Sequence, residues 1–493
     1  MSYLLGYDLG SSSIKAALID AKTQETLAIV QSPETEMEIA APQADWAEQD
    51  PEIWWQHICR ATQKILAQTA VDAIEIKGIG ISYQMHGLVL VDENQEVIRP
   101  SIIWCDSRAV EIGNRAFEEI GQEKALSHLL NSPGNFTASK LKWVKENEPD
   151  AYNKIHKIML PGDYIAMRLT REIHTTPSGL SEGILWDFQE EKVADLVLDH
   201  YGFDAEMIPN ITPTFSLQGR LDEAAAKATG LVAGIPVAYR AGDQPNNALS
   251  LNVLQPGEIA ATGGTSGVVY GVVNQAAYDS QSRVNGFAHV NHTATHPRIG
   301  ILLCINGAGI QYNWMRQNVA KGLSYQEMNE LAASVTVGSD GLQILPFGNG
   351  AERMLCNKNI GARIQNLNFN RHTQAHLCRA SLEGIAFSFV YGVQILKEMG
   401  LEVSVMRVGN DNLFRSKIFA QTIANLLNCK IELVEATGAV GAAKAAGVAT
   451  GIYASVEEAM QQVKVLKVYE AEREVMEYEV AYEHWRKELK EAL

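Results

Sequence analysis

The chain has 493 residues, with 41 basic and 58 acidic side chains and a formal net charge of −17. At about 150 residues per domain the length fits about three domains, or two large α/β ones. The 46% hydrophobic and 20% charged residues exclude general disorder and allow a sizeable core. The acidic balance excludes a protein that coats nucleic acid or anionic membrane, but not a phosphorylated ligand held by backbone N–H groups.

The first residues, Met1-Ser-Tyr-Leu-Leu-Gly-Tyr-Asp8, lack the basic segment of a secretory signal. No apolar run approaches the roughly 18 residues of a membrane-spanning helix. Cys59, Cys105, Cys304, Cys356, Cys378 and Cys429 form no C-x-x-C pair, as expected of reduced thiols in a cytoplasmic protein.

Tyr3 to Tyr7 reads as a strand, Gly10-Ser11-Ser12-Ser13 as a turn, and Ile14 to Ile19 as a second strand. Asp50 and Pro51 open a helix whose Trp54, Ile58, Ala61 and Ile65 share one face. A strand-like run, Lys77–Ser82, leads into Tyr83-Gln84-Met85-His86-Gly87, and another, Ile235–Arg240, leads into Ala241-Gly242-Asp243. The opening pattern then returns. Glu258–Thr262 and Val268–Val273 read as strands around Gly263-Gly264-Thr265-Ser266-Gly267, which suggests a duplicated architecture with a boundary near residues 245–255. Strands are expected near Gly300–Asn306 and Leu342–Pro346, and helices over Tyr325–Ser334, Thr373–Met399 and Ser416–Leu427. Gly438-Ala-Val-Gly441-Ala-Ala reads as the start of a helix with a small-residue face, packed closely on a sheet. In the last helix Tyr478, Tyr482, Trp485 and Leu489 share a face that either docks on the chain's own core or meets a partner helix.

Neither a G-x-x-x-x-G-K-[ST] loop nor a G-x-G-x-x-G after a strand is present. A turn of glycine and small hydroxyl residues exposes successive N–H donors, so each Gly/Ser/Thr turn fits two roles: a plain hairpin, or a cradle for phosphate oxygens. Asp8 stands where a carboxylate faces a metal bound to such phosphates. Asp243, an Asp after Gly, more often marks a turn former or helix cap; its other reading is a general base, with Gly242 permitting close approach of a hydroxyl. Gln84, His86 and Asp106 suit vicinal hydroxyls, and Trp104 suits the apolar face of a sugar. His289, His292 and His296 would need a helix to converge on a metal, whereas Thr293 and Thr295 favour strand or loop.

These motifs, in this order, resemble the FGGY carbohydrate kinases along nearly the whole length, and within them those acting on D-xylulose. The matching segments are Asp8-Leu-Gly10-Ser11-Ser12-Ser13, Trp46-Ala-Glu-Gln-Asp50, Gln84-Met85-His86-Gly87, Trp104-Cys-Asp106, Leu160-Pro-Gly-Asp-Tyr164, Gly242-Asp243, Thr262-Gly-Gly264-Thr265-Ser266-Gly267 and Arg379-Ala-Ser-Leu-Glu383-Gly384. The resemblance implies an α/β fold of two ribonuclease H-like domains of the actin and hexokinase type flanking a catalytic cleft, over residues 1–248 and 249–493. It implies ATP-dependent phosphorylation of a ketopentose, D-xylulose to D-xylulose 5-phosphate, with Asp243 as general base and Mg²⁺ facing Asp8 and Asp243. Gln84, Met85, His86, Trp104, Asp106 and Asp243 would contact the sugar. Gly10, Ser11, Ser12, Gly264, Thr265 and Ser266 would hold phosphate, with Gly307, Gln311, Gly409 and Asn410 on the adenosine side. Asn410 also fits a purely structural role, since Asn tolerates left-handed backbone. A homodimer, and no nucleic-acid or membrane partner, belong to the same expectation. Three segments depart from the commoner family pattern: Gly242-Asp-Gln-Pro-Asn-Asn247, Val408-Gly-Asn-Asp-Asn412 and Glu352-Arg-Met354. The alternatives are another acceptor (ribulose, fuculose, gluconate or glycerol) and a non-catalytic actin-like ATP-binding protein, which would not need Asp243 beside sugar-contact segments.

Overall fold

Five apolar runs from the first half of the sequence meet in one sheet. The computed structural model describes residues 1–410 and 413–493, so Asp411 and Asn412 of the expected adenine loop lie outside the described residues. Strands β1 (Tyr3–Leu9), β2 (Ile14–Asp20), β3 (Thr26–Ser32), β4 (Ile76–Tyr83) and β5 (Val237–Gly242) lie in the order β5-β4-β1-β2-β3. The hairpin pair β1/β2 is antiparallel, and β1/β4 and β4/β5 are parallel. The central strand β1 is buried almost throughout, whereas edge strand β3 alternates. That is the difference between a strand covered on both faces and one with a wet face.

One face of the sheet is covered by the helix Pro51–Thr69. Its Asp50 cap accepts the Glu52 N–H at 2.9 Å, and its Trp54, Ile58, Ala61 and Ile65 are buried as the periodicity predicts. The other face is covered by a helix from far along the chain, Gly438–Ala449. A Cβ at Gly6 or Gly80 would stand 1.9 Å from the carbonyl oxygen of Ala439 or Ala442, so only glycine permits this approach.

The contacts group the chain into two units, neither continuous. The first is Met1–Leu254 with Gly286–Ile299 and Ala436–Gln462; the second is Gln255–Asn285 with Gly300–Glu435 and Val463–Leu493. The cut expected after residue 248 falls near the first crossing, but the chain then returns twice to the first unit, because its sheet needs the glycine- and alanine-rich helix as a cover.

In the second unit, β6 (Glu258–Gly263), β7 (Gly267–Val273), β8 (Ile299–Ile305), β9 (Val405–Gly409), β10 (Lys430–Glu435) and β11 (Lys464–Tyr469) lie in the order β8-β7-β6-β9-β10-β11. The pair β6/β7 is antiparallel, and β6/β9 and β9/β10 are parallel. The order β10-β9-β6-β7-β8 repeats that of β5-β4-β1-β2-β3, and the pairs β6/β7, β6/β9 and β9/β10 repeat the sense of β1/β2, β1/β4 and β4/β5; β11 is added antiparallel to β10, and Asn285–Ala288 is a further strand of the same sheet. The two hairpins singled out in the sequence are thus the same topological element used twice.

The long helix Gln374–Glu398 is buried through most of its length and packs on the helices Tyr325–Ala333 and Lys417–Leu427. The terminal helix Met476–Ala492 docks on its own unit. Tyr482, Trp485 and Leu489 are buried, and the Trp485 indole N–H donates to the Ile344 carbonyl at 2.9 Å. No helix of the described residues is long and apolar enough to cross a membrane.

Candidate active site

In the first unit the site grows from the carboxyl ends of three adjacent parallel strands, where α/β sheets place their ligands. Register pairs Asp8 of β1 with Ser82 of β4, and Ala241 of β5 with that same Ser82. The Ser82 hydroxyl donates to Asp8 Oδ1 at 2.9 Å. Burial pushes the Asp8 carboxyl up from its ordinary range. Asp243 begins the helix Asp243–Ser250 directly after β5. Burial, and then the Asp8 charge, push its carboxyl up to about 7. Two buried carboxyls, one raised by the charge of the other, could form a half-site for a divalent cation whose other ligands are phosphate and water.

The first hairpin stands beside Asp8. The Gly10 N–H closes the turn onto the Ser13 carbonyl at 3.1 Å, so Gly10 shapes the loop rather than offering a donor. In none of the described hydrogen bonds does the Ser11 or Ser12 N–H donate, so both could donate to an anion seated on the turn. The loop is held from below: Gln49 Nε2 donates to the Ser11 carbonyl at 2.7 Å, and the Met37 N–H to the Ser12 carbonyl at 2.8 Å. Trp104 is exposed, with its indole N–H 3.4 Å from the Ser11 hydroxyl.

The segment after β4 divides its labour. Met85 packs against Gly242, where a Cβ would lie 2.6 Å from Met85 Cγ. His86 has left-handed backbone, φ +62°, which is rare outside glycine and common at binding sites. Gln84 is buried and donates toward Gln49 at 3.4 Å, which supports the hairpin from behind. Asp106 is withdrawn from the expected sugar contacts. It is wholly buried, gripped by the Arg108 guanidinium at 2.7–3.0 Å, and accepts the Ala47 N–H at 2.6 Å. Arg108 in turn lies 3.6 Å from the Trp46 ring centroid and 2.8 Å from Glu48. The sequence suggested this Asp because it follows a strand; the partner two residues on absorbs its charge. Asp163 pairs with Arg240 of β5 at 2.8 Å and caps its own helix through the Leu160 N–H, which anchors the strand that presents Asp243.

In the second unit the hairpin Gly263–Gly267 docks on a helix start. The Gly309 and Ile310 N–H groups donate to the Gly264 and Thr265 carbonyls at 3.1 and 2.9 Å. Thr265 and Ser266 are exposed. Gly264 and Thr265 line a cavity of about 860 Å³, completed by Tyr312, Tyr325, Asn329 and Arg415 among others. The Tyr312 and Tyr325 rings stack at 5.7 Å, and their hydroxyls are held by Asn329 and Asn313.

The other nucleotide-side candidates lie apart from this cavity. A Cβ at Gly307 would stand 1.9 Å from the Pro346 carbonyl, and the Gly307 N–H donates to Glu352 at 3.0 Å, so this glycine serves packing. Gln311 accepts the Ser381 hydroxyl and lines a neighbouring cavity of about 390 Å³. Gly409 ends β9, paired with Val434. Asn410 accepts from Arg415 through its carbonyl at 2.9 Å and thereby steadies a cavity residue.

Sequence reasoning missed the tyrosine pair, Gln49, Lys140 and Glu182. Tyr312 and Tyr325 carry a legible signal, two aromatics on helices flanking the hairpin's partner segment. Lys140 and Glu182 carry none, since what sets them apart is that a charged side chain is buried. The three histidines do not converge: His289 bonds the Val253 carbonyl, His292 meets Glu191, and His296 bonds Thr295. No group of metal-binding side chains of three or more occurs among the described residues.

Comparison with known proteins places this geometry. The N-terminal domain of the FGGY family of carbohydrate kinases matches residues 3–250, and the C-terminal domain matches 259–450. The chain is 27% identical to the xylulose kinase of Bacillus subtilis, over 99% of this chain and 96% of that protein. It is 30% identical to the L-xylulose/3-keto-L-gulonate kinase of Escherichia coli, over 94% and 91%. The crystal structure of a xyloylose kinase from Brucella ovis superposes with a TM-score of 0.89 at 26% identity, covering 99% of both chains. The fold is the mixed α/β, two-domain fold of these kinases. With both domains matched in order and the likeness running end to end, the chain belongs to the FGGY family of carbohydrate kinases and is a sugar kinase, a phosphotransferase.

Proposed function

We propose that this kinase transfers the γ-phosphoryl group of ATP to the primary hydroxyl of a ketopentose, converting D-xylulose to D-xylulose 5-phosphate. The observation that carries the reading is Asp243, a carboxylate at a parallel strand end with its pKa pushed up to about 7, where a general base works best. Asp243 takes the proton from the sugar's O5 as the oxygen attacks phosphorus. Met85, His86 and Trp104 orient the ketose, with Gln84 and Asp106 acting from behind. The N–H groups of Ser11 and Ser12 and the turn at Gly264, Thr265 and Ser266 receive phosphate oxygens, and the tyrosine-lined cavity suits the adenosine. Phosphoryl transfer has a loose transition state, so positioning and charge neutralisation supply most of the catalysis. Mg²⁺ bound with ATP would neutralise phosphate charge, and Asp8 and Asp243 are the residues suited to hold it. Backbone donors and a cation thus serve an anionic ligand on an acidic protein.

The likeness to the xylulose kinase of Bacillus subtilis supports the acceptor. A second reading, L-xylulose or 3-keto-L-gulonate, is favoured by the 30% identity to the Escherichia coli enzyme of that name. Assays with ATP across D-xylulose, L-xylulose, 3-keto-L-gulonate, ribulose, fuculose, gluconate and glycerol decide between them. D-xylulose is expected to give the highest kcat/KM, and a higher value with any other acceptor overturns the assignment. In the same assay Asp243→Ala keeps ATP binding and loses sugar phosphorylation by about three orders of magnitude or more. Unchanged turnover in that variant removes Asp243 as the base.

A further inference from the structure

Three hydrogen bonds converge on His86, all from buried groups. Its N–H donates to Glu182 Oε2 at 3.1 Å. Its ring Nδ1 lies 2.9 Å from the Glu182 backbone carbonyl, which can only accept, so Nδ1 carries a proton and in the neutral ring Nε2 is the acceptor nitrogen. Its carbonyl accepts from Lys140 Nζ at 2.8 Å, and the same ammonium bonds the Ile103 carbonyl at 3.0 Å. Glu182 is 1% exposed and Lys140 is fully buried. The ring is packed against Phe136, edge on at 4.7 Å, and against Phe287.

Burying an ammonium and a carboxyl is costly unless each is well partnered. Here both converge on one residue, and that residue holds a backbone conformation that costs about 1 kcal/mol or more. Such strain persists only where surrounding groups over-determine it. We propose that the Glu182 carboxyl group and the Lys140 ammonium are positioning groups that lock the backbone of His86, and through it hold the ring where Nδ1–H meets the Glu182 backbone carbonyl, so that Nε2 is offered as a hydrogen-bond acceptor to a hydroxyl of the sugar. Lys140 reaches His86 from the helix Thr137–Asn147, and Glu182 from the last turn of Pro177–Glu182. Neither group touches the reacting atoms; both act through His86. The inference rests on the reading that His86 contacts the sugar.

A double-mutant cycle tests it. His86→Ala is expected to raise the KM for the ketose at least tenfold. Glu182→Leu should raise it by a similar factor with kcat changed less than threefold, and the double variant should be no worse than His86→Ala alone. Glu182→Gln keeps an acceptor oxygen and should return KM to within about threefold of the parent. Unchanged affinity for an ATP analogue in each variant verifies that the protein is folded. Additive effects in the double variant, or Gln as damaging as Leu, overturn the positioning role. The ring ¹⁵N shifts of His86, assigned by their loss in His86→Ala, give a second readout. They should show the Nδ1–H form in the parent and a mixture of tautomers in Glu182→Leu and Lys140→Met. If the tautomer is unchanged in both, the lock does not exist, whatever the KM values. If His86→Ala leaves KM unchanged while the tautomer shifts as expected, the sugar-contact reading fails and the lock stands.

Discussion

The two Gly/Ser/Thr hairpins are built alike and kept differently. Each joins an antiparallel pair at the heart of its sheet. The first is propped by side chains and loop backbone, Gln49 and the Met37 N–H, and stands beside two raised carboxyls. The second is propped by the N–H groups opening a helix and stands beside a large cavity walled by stacked tyrosines. A hairpin of glycine and small hydroxyl residues is therefore not defined by its own sequence. What stands next to it, acids in one case and a roomy aromatic cavity in the other, sets the two apart, and under the proposed function assigns the first to the reacting end and the second to the recognised end of the nucleotide.

The contrast can be broken from either side. The largest effect is expected at the first hairpin's neighbour, Asp243. Asp243→Asn should abolish turnover yet stabilise the protein free of ATP and Mg²⁺. The sign follows from the raised carboxyl. The folded state holds a proton that the unfolded chain releases, so this contribution to stability is complete below about pH 4 and lost as pH rises through about 7. At most about 4 kcal/mol is involved, at about 1.4 kcal/mol per pKa unit. Chemical denaturation at pH 5 and 8 should show the parent losing more stability than Asp243→Asn; equal losses would refute the burial argument.

An intermediate effect is expected at the second hairpin. A Cβ at Gly309 would stand 2.1 Å from the Gly264 carbonyl, so Gly309→Val must push the hairpin off the helix. The KM for ATP should rise about a hundredfold, with ketose affinity, measured directly by calorimetry, changed less than threefold. Equal weakening of both ligands would mean the hairpin is not nucleotide-specific. The smallest effect is expected from Ser82→Ala, which removes the donor to Asp8 Oδ1. A single such bond is worth about 1–2 kcal/mol, so kcat should fall about fivefold to thirtyfold. A fall of a thousandfold would instead make Ser82 part of the chemistry.

Much of this was legible in the sequence, for identifiable reasons. The strands of both hairpins, the helix capped by Asp50 and the helices from Tyr325, Gln374 and Lys417 are read within a residue or two, because caps and periodicity are local. Asp8, Asp243, His86 and Trp104 were singled out because the sequence reads them at or just after strand ends, where ligand-facing residues tend to stand. Asp106 follows a strand too, and its withdrawal depends on Arg108 being folded back under two tryptophans, a tertiary fact. Gln311 was chosen by position in the chain, but a helix turns a side chain by about 100° per residue, and its neighbours Ile310 and Tyr312 face the cavity instead. Lys140 and Glu182 were invisible because the sequence does not show what is buried.

The helix Gly438–Ala449 has a consequence for how this molecule is made. It covers a sheet whose five strands are all encoded before residue 243. A ribosome must therefore add about 200 further residues before the backbone surface at Gly6 and Gly80 is shielded, at about 5–20 residues per second. For those seconds the nascent first unit shows one bare, apolar sheet face. A fragment cut at the first crossing, near Leu254, would carry that exposure permanently and associate with itself or with whatever small-residue helix it meets.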